Sequence, residues 1–190
     1  MSDSNITKNA LAAALKKLMK EQGFEKISVS EICEECGMNR KSFYYHFRDK
    51  YDLVNWIFYD AFLANLQVAS YENGWDALTE LCRKFYEDRD YYIEALKIKG
   101  QNSFCDYVTE TIEPLVAYFT EDLFKREAEK EFFCTFFTDA LLHSISRWLE
   151  NNMSMTPEEF VKNIQDILRD IAVKTPGGGG MEERSAPSPR

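Results

Sequence analysis

Helix breakers are scarce in this chain of 190 residues: it has 8 Gly and 5 Pro, and four of the Gly and three of the Pro fall after residue 175. Long helices therefore meet few interruptions between about residue 5 and residue 174. Alternating apolar residues, the mark of a half-buried strand, do not occur over any useful length, so the expected fold is all-α. No run approaches the ~18 consecutive apolar residues of a bilayer span. The stretch MSDSNITKNALAAAL also lacks the apolar core of a secretory signal, which points to a cytoplasmic protein with no membrane partner. The five cysteines (Cys33, Cys36, Cys82, Cys105, Cys134) are odd in number and scattered, which argues against a secreted disulfide framework and for reduced thiols. Histidine is limited to His46 and His143. No nucleophile motif, Gly-rich phosphate loop or metal cluster is present, so no catalytic residue, metal or cofactor is expected.

Positive charge is also short, at a formal net −9, but unevenly so. Residues 1–50 carry 9 Lys/Arg against 7 Asp/Glu, whereas residues 51–190 carry 14 against 25. A basic surface is thus available in the first part alone.

What the chain does have is apolar residues at helical spacing. Leu11, Ala14, Leu15, Leu18 and Met19 form one stripe, and Gly23 reads as the C-terminal glycine of that first helix. Ser28-Val-Ser-Glu31 is a capping box that opens a second helix ending at Gly37. Asn39 caps a short third helix with Phe43 and Phe47 one turn apart. Asp49 caps a fourth, carrying Leu53, Ile57, Ala61, Ala64 and Val68 with Val54, Phe58 and Phe62 beside them. That surface is wide enough to need cover on two sides, which makes this helix a bridge between two units. Further helical blocks run at about 76–98, 102–124 and 126–151, with Pro114 predicting a kink or break in the second. Thr156-Pro-Glu-Glu159 opens a last one over 157–173. The organisation expected is a DNA-binding unit over 1–50, a helical ligand-binding and dimerisation unit over 51–174, and a flexible Gly- and Pro-rich tail over 175–190.

The stretch Gly37-Met-Asn-Arg-Lys-Ser-Phe-Tyr-Tyr-His-Phe-Arg-Asp-Lys50 carries the functional signal. A helix, a turn of about three residues and a second short helix make a helix-turn-helix, whose second helix is shaped for the major groove. At 100° per residue, Phe43 and Phe47 face inward while Lys41, Tyr44, Tyr45 and Arg48 gather on the other side. Two exposed tyrosines waste apolar area unless something binds there. The bland reading is a helical hairpin with a solvated basic face.

On these residues the first ~65 positions resemble the TetR/AcrR family of bacterial regulators, through the run Phe43-Tyr44-Tyr45-His46-Phe47 followed by Lys50. Residues 39–56 are also similar to the subgroup that regulates dihydroxyacetone kinase operons. The resemblance implies that Ser28 contacts a phosphate of double-stranded DNA, that Arg40, Lys41, Ser42 and Tyr44 reach bases or phosphates, and that Tyr45, His46 and Lys50 hold the DNA backbone. Lys41 stands where many relatives carry a small residue, so the base it reads is not assigned. The resemblance further implies a homodimer formed by the last two helices, bound to a pseudo-palindromic operator and controlled by a small effector. The subgroup implies instead an activator governed by a partner sensor protein. A helical interaction module or enzyme with no DNA role is the rival from another class.

Other signals have plain readings. Cys33-x-x-Cys36 lies one turn apart within a helix and lacks companion ligands, so packed thiols are expected. His143, four residues after Asp139, reads as a core or interface residue, with ligand recognition as the alternative. Tyr86–Tyr92 reads as a solvated helix junction rather than an acid–base pair. Phe85, Tyr86, Tyr107, Tyr118, Phe119, Phe136 and Phe137 line a cavity or fill a core, and spacing does not separate the two. Phe133, Phe137, Leu141, Ile145 and Trp148, widened by Phe132, Phe136 and Leu142, and a second stripe of Phe160, Ile164, Ile167, Leu168 and Ile171, are expected to form the dimer face.

Overall fold

The computed structural model describes residues 3–66, 71, 73–100, 103–121, 126–151 and 155–174. Nine α-helices and two 3-10 turns, at Phe24–Lys26 and Leu63–Asn65, account for the regular structure among them: α1 (Asp3–Glu21), α2 (Val29–Glu35), α3 (Arg40–His46), α4 (Lys50–Ala61), α5 (Gly74–Glu87), α6 (Arg89–Leu96), α7 (Phe104–Phe119), α8 (Glu127–Glu150) and α9 (Pro157–Lys174). The fold is all-α, as the absence of alternating apolar residues predicts, and no described helix is long and apolar enough to cross a membrane. The tail expected over 175–190 lies outside the described residues, as do Val68 and the side chain of Ile171.

Capping chemistry sets the helix starts. Ser28 Oγ accepts from the Glu31 amide at 3.2 Å while Glu31 Oε2 accepts from the Ser28 amide at 2.7 Å, the reciprocal box read from the sequence. Asn39 accepts from the Ser42 amide at 2.9 Å, and Asp49 from the Asp52 amide at 2.8 Å. Thr156 and Glu159 form a second reciprocal box ahead of α9. Gly37 turns the chain between α2 and α3 at φ +69°, a left-handed position that L side chains rarely adopt.

Four expectations about segmentation change. Helix α4 ends at Ala61 and a 3-10 turn follows over Leu63–Asn65, so Ala64 lies outside the helix and is exposed. Gly23 is extended, at φ −64° and ψ 144°, and introduces a 3-10 turn at Phe24–Lys26 instead of closing α1 in a left-handed cap. The block expected over 76–98 breaks at Asp88, between α5 and α6. The break turns two consecutive tyrosines, Tyr91 and Tyr92, into the core, where the Tyr91 hydroxyl donates to the Val54 carbonyl at 3.1 Å. Helix α7 runs unbroken through Pro114. Pro114 is exposed, while Val108 and Ile112 are buried and Leu115 and Val116 packed against the core. Burial on that face outweighs the ~3 kcal/mol that an interior proline costs a helix.

Helix α4 joins the two halves. Phe47 and Trp56 pack at 5.7 Å on the N-terminal side, and Phe58 meets Phe85 at 6.0 Å and Phe104 at 5.7 Å on the other. Leu53, Val54, Ile57, Phe58 and Phe62 are all buried, so both faces of the helix are covered as its width required. One apolar core runs from Leu11 of α1 to Val161 of α9. Ion pairs from Lys16 to Asp88 and from Lys20 to Asp90 (3.8 Å) fasten α1 to the α5–α6 junction, so Tyr86–Tyr92 is a structural corner.

Candidate nucleic-acid interface

Helices α2 and α3 are separated by residues 36–39 and form the helix-turn-helix, with α1 behind them. Phe43 and Phe47 are buried in the N-terminal core, with ring centroids 5.8 Å apart. The opposite side of α3 is open. Tyr45 is 82% exposed and rests edge-on against His46 at 4.8 Å. Tyr44 is half exposed, because its ring packs edge-on against Phe43 at 5.4 Å. Arg40 donates to the Tyr44 hydroxyl at 3.4 Å and lies 5.8 Å from its ring centroid, so the guanidinium is held along the helix face. Lys41 is exposed, and Arg48 is exposed and paired with Asp49 at 3.2 Å.

This is a surface of point charges and flat rings over a rigid apolar base. Guanidinium and ammonium groups suit phosphate oxygens or the acceptors of guanine, and tyrosine hydroxyls donate to phosphate. Ser28 is exposed at the start of α2. Its oxygen accepts from the Glu31 amide, and its hydroxyl is also hydrogen-bonded to the Glu31 carboxylate, which helps to hold that carboxyl below the usual glutamate value. Ser42 is half-buried, and its hydroxyl donates to Asn39 Oδ1 at 3.3 Å, so it serves the helix cap. Lys50 stands apart from the others. Its Nζ donates to the carbonyls of Phe24, Ile27 and Glu25 at 2.8, 2.9 and 3.2 Å, and burial pulls its pKa below the usual lysine value. Of the eight residues expected at the site, Arg40, Lys41, Tyr44, Tyr45 and His46 share α3, Ser28 opens α2, Ser42 faces its own cap, and Lys50 points into the protein.

A second feature lies in the C-terminal half, where the sequence named no contact residue. A cavity of about 880 Å³ is walled by Trp75, Leu78 and Leu81 of α5, Ile112, Leu115, Val116 and Phe119 of α7, and Phe133, Phe137 and Leu141 of α8, with Phe62 at the end of α4. Polar groups are sparse in its lining: Asn73, Thr120, Glu121 and the Tyr118 hydroxyl. The aromatic excess thus divides. Tyr118, Phe119 and Phe137 line the cavity, Phe85 fills the core, and Tyr86 and Phe136 are exposed. Gly74 is required at the rim, since a Cβ there would meet Phe119 side-chain atoms at 2.9 Å.

The expected dimer face needs correction. Leu141, Ile145 and Trp148 are buried in the chain's own core, and Phe133 and Phe137 turn to the cavity. Leu142 is buried as well, whereas Phe132 and Phe136 of the expected face stay open, on a stripe of α8 that continues through Ala140, His143 and Arg147. Phe132 is 73% and Phe136 62% exposed, their rings stacked 6.1 Å apart. On α9, Phe160 is buried by stacking on Trp148 at 4.7 Å, whereas Ile167 and Leu168 are exposed. His143 is exposed, with Nδ1 3.0 Å from the Asp139 carbonyl, which removes the core reading for it.

Among the described residues, no group of His, Cys, Asp and Glu is arranged to hold a metal ion. Cys33 and Cys36 are packed thiols whose pKa values burial pushes up, and Cys36 Sγ donates to the Ile32 carbonyl at 3.2 Å.

Comparison with known proteins agrees with this geometry. Residues 10–57 match the family model for bacterial regulatory proteins of the tetR family, and residues 72–170, just over half of the chain, match that of a transcriptional regulator C-terminal region. The HTH-type dhaKLM operon transcriptional activator DhaS of Lactococcus lactis subsp. lactis (strain IL1403) is 28% identical over 102 residues, which is 54% of this chain and 54% of that protein. The chain thus spans about half the length of that relative. An HTH-type transcriptional regulator of Staphylococcus aureus (strain MRSA252) is 26% identical over 152 residues, 76% of this chain and 80% of the relative. Among solved structures, the dihydroxyacetone kinase operon activator DhaS superposes with a TM-score of 0.67 at 23% identity, covering 88% of this chain and 97% of that one. NalD, the secondary repressor of the MexAB-OprM multidrug efflux pump in Pseudomonas aeruginosa, gives 0.67 at 16% identity over 88% and 97%. At these identities the structures bear on the fold.

Proposed function

The chain belongs to the TetR family of bacterial regulatory proteins, and from that membership we propose that it acts as a cytoplasmic homodimer on a pseudo-palindromic operator and responds to a small apolar effector. It is a DNA-binding transcriptional regulator and not an enzyme. The observation that carries the proposal is the two-sided α3, with Phe43 and Phe47 anchored inside and Arg40, Lys41, Tyr44 and Tyr45 presented outside. We assign base and phosphate contacts to these four and backbone contacts to Ser28 and His46, with Ser42 holding the cap from which they project.

The dimer reading rests on the exposed stripe of α8 and the neighbouring Ile167 and Leu168 of α9. The exposed rings of Phe132 and Phe136, with Ile167 on the other helix, are apolar surface that a second copy can cover by packing the same residues about a two-fold axis. The effector reading rests on the cavity, whose volume lies within the range of small-molecule sites and whose walls favour an apolar body with few polar groups. An effector that binds one spacing of the two recognition helices better than another shifts the dimer toward it.

A nuclease-protection experiment on DNA upstream of the protein's own gene tests the reading. It should yield two protected half-sites whose centres lie one helical turn, roughly 34–36 Å, or a multiple apart. A single isolated half-site would overturn the dimeric arrangement. A second reading, favoured by the similarity to the activator DhaS, makes this chain an activator of a dihydroxyacetone kinase-type operon controlled by a partner sensor protein. Loss of the gene then lowers transcription from the bound promoter, whereas loss of a repressor raises it.

A further inference from the structure

Lys50 is the site residue that the structure turns inward, and its partners lie far off in sequence. Its ammonium has three protons, and three carbonyls receive them, those of Phe24, Ile27 and Glu25, at 2.8 to 3.2 Å. The charge also lies 4.3 Å from the centroid of the Phe24 ring, itself packed edge-on against Tyr51 at 5.0 Å. These carbonyls belong to the corner that leads into Ser28 and α2. Lys50 opens α4, directly after the Phe47–Asp49 corner that follows α3. One side chain thereby joins the two ends of the helix-turn-helix.

The link reaches Ser28 through a single rigid unit. The Ile27 carbonyl and the Ser28 amide share one planar peptide group. Lys50 holds that plane by its oxygen at 2.9 Å, and Glu31 holds it by its N–H at 2.7 Å. At the other end, the Asp49 cap on the Asp52 amide fixes the backbone from which Lys50 springs. Turning the ammonium out to a phosphate would take this donor from the Glu25 and Ile27 carbonyls and leave the Phe24 carbonyl with the Ile27 amide alone, at 3.1 Å.

We propose that Lys50 is a positioning residue for DNA binding, a clasp that fixes the corner before α2 against the start of α4 and so sets Ser28 relative to the exposed face of α3, without touching phosphate itself. The proposal rests on the DNA-binding reading of residues 28–46. Wild-type binding tests that reading alone, and the variants below test Lys50.

The experiment measures binding of a labelled duplex, taken from upstream of the protein's own gene, across a salt series. Wild type, Lys50→Met, Lys50→Arg, Ser28→Ala and the double variant Lys50→Met/Ser28→Ala are compared, with folding checked by circular dichroism. The clasp predicts that Lys50→Met weakens binding by roughly tenfold or more with an unchanged salt slope, because no counterion-releasing contact is lost. It also predicts that Ser28→Ala costs nothing further in the Met background, the non-additivity of residues acting through one contact. Lys50→Arg should fail to restore affinity, since a planar guanidinium cannot serve three carbonyls converging on one point. A slope reduced by about 0.9 per subunit, additive losses, or full affinity in Lys50→Arg would make Lys50 a phosphate contact and overturn the proposal. No effect in Lys50→Met would overturn it too. Should the variants unfold, the wild-type protein decides: the Lys50 ammonium nitrogen resonance should stay in place when DNA is added while that of Lys41 moves, and equal movement refutes the clasp.

Discussion

Phe43 and Tyr45 are two residues apart on α3 and have opposite roles. Phe43 is fully buried, so Phe43→Ala empties a ring-sized space and should cost ~3–5 kcal/mol, seen as a lowered melting temperature. Tyr45 is 82% exposed, so Tyr45→Ala should leave the melting temperature within a degree or two while weakening operator binding. Equal loss of stability in the two variants would contradict the assignment of inside and outside. Tyr44 is a less clean probe, because its ring packs on Phe43 and its hydroxyl receives Arg40. Most of this face was legible in the sequence, since a seven-residue helix with two phenylalanines one turn apart leaves little choice of orientation. What was not legible is the direction of Lys50: the carbonyls that capture it are 23 to 26 positions away, and no local spacing reveals them. Nor was the engagement of Ser42 with its own cap, which depends on a rotamer.

At the scale of the helix, α8 shows how a wide apolar surface misleads. It carries aromatic and aliphatic residues on more than half its circumference, and a one-residue change of stripe redirects the surface by 100°. The inner stripe packs on α7 and the cavity, and the outer one, through Phe132 and Phe136, is left exposed, the surface that our proposal gives to a second copy. Phe136→Asp should therefore give a folded monomer by sedimentation that no longer binds a two-half-site operator. Leu141→Asp should instead unfold the C-terminal half, because Leu141 is only 4% exposed and its charge would be buried without a partner. A dimeric Phe136→Asp protein would place the interface elsewhere. Helix starts were readable because caps are local chemistry, as at Ser28, Asn39, Asp49 and Thr156. The break at Asp88 and the continuity at Pro114 were not, because each is decided by what the flanking side chains bury.

Across the whole molecule, the two halves share one core, with α4 in its middle. Phe62 at the end of α4 touches the cavity, and Lys50 at its start clasps the helix-turn-helix, so one helix spans the distance between them. Net charge is arranged at the same scale: the acidic excess lies in residues 51–190 and a small basic excess in residues 1–50, as the proposed approach of α3 to DNA requires. The central claim is that this face, doubled in a homodimer, neutralises phosphates of duplex DNA. The most direct test is the affinity of the wild-type dimer for its own upstream fragment as a function of salt. The account predicts log K falling linearly with log salt, with a slope steeper than about −2, because several phosphates in each half-site release counterions. Absent binding at low salt, or an affinity indifferent to salt, would contradict it.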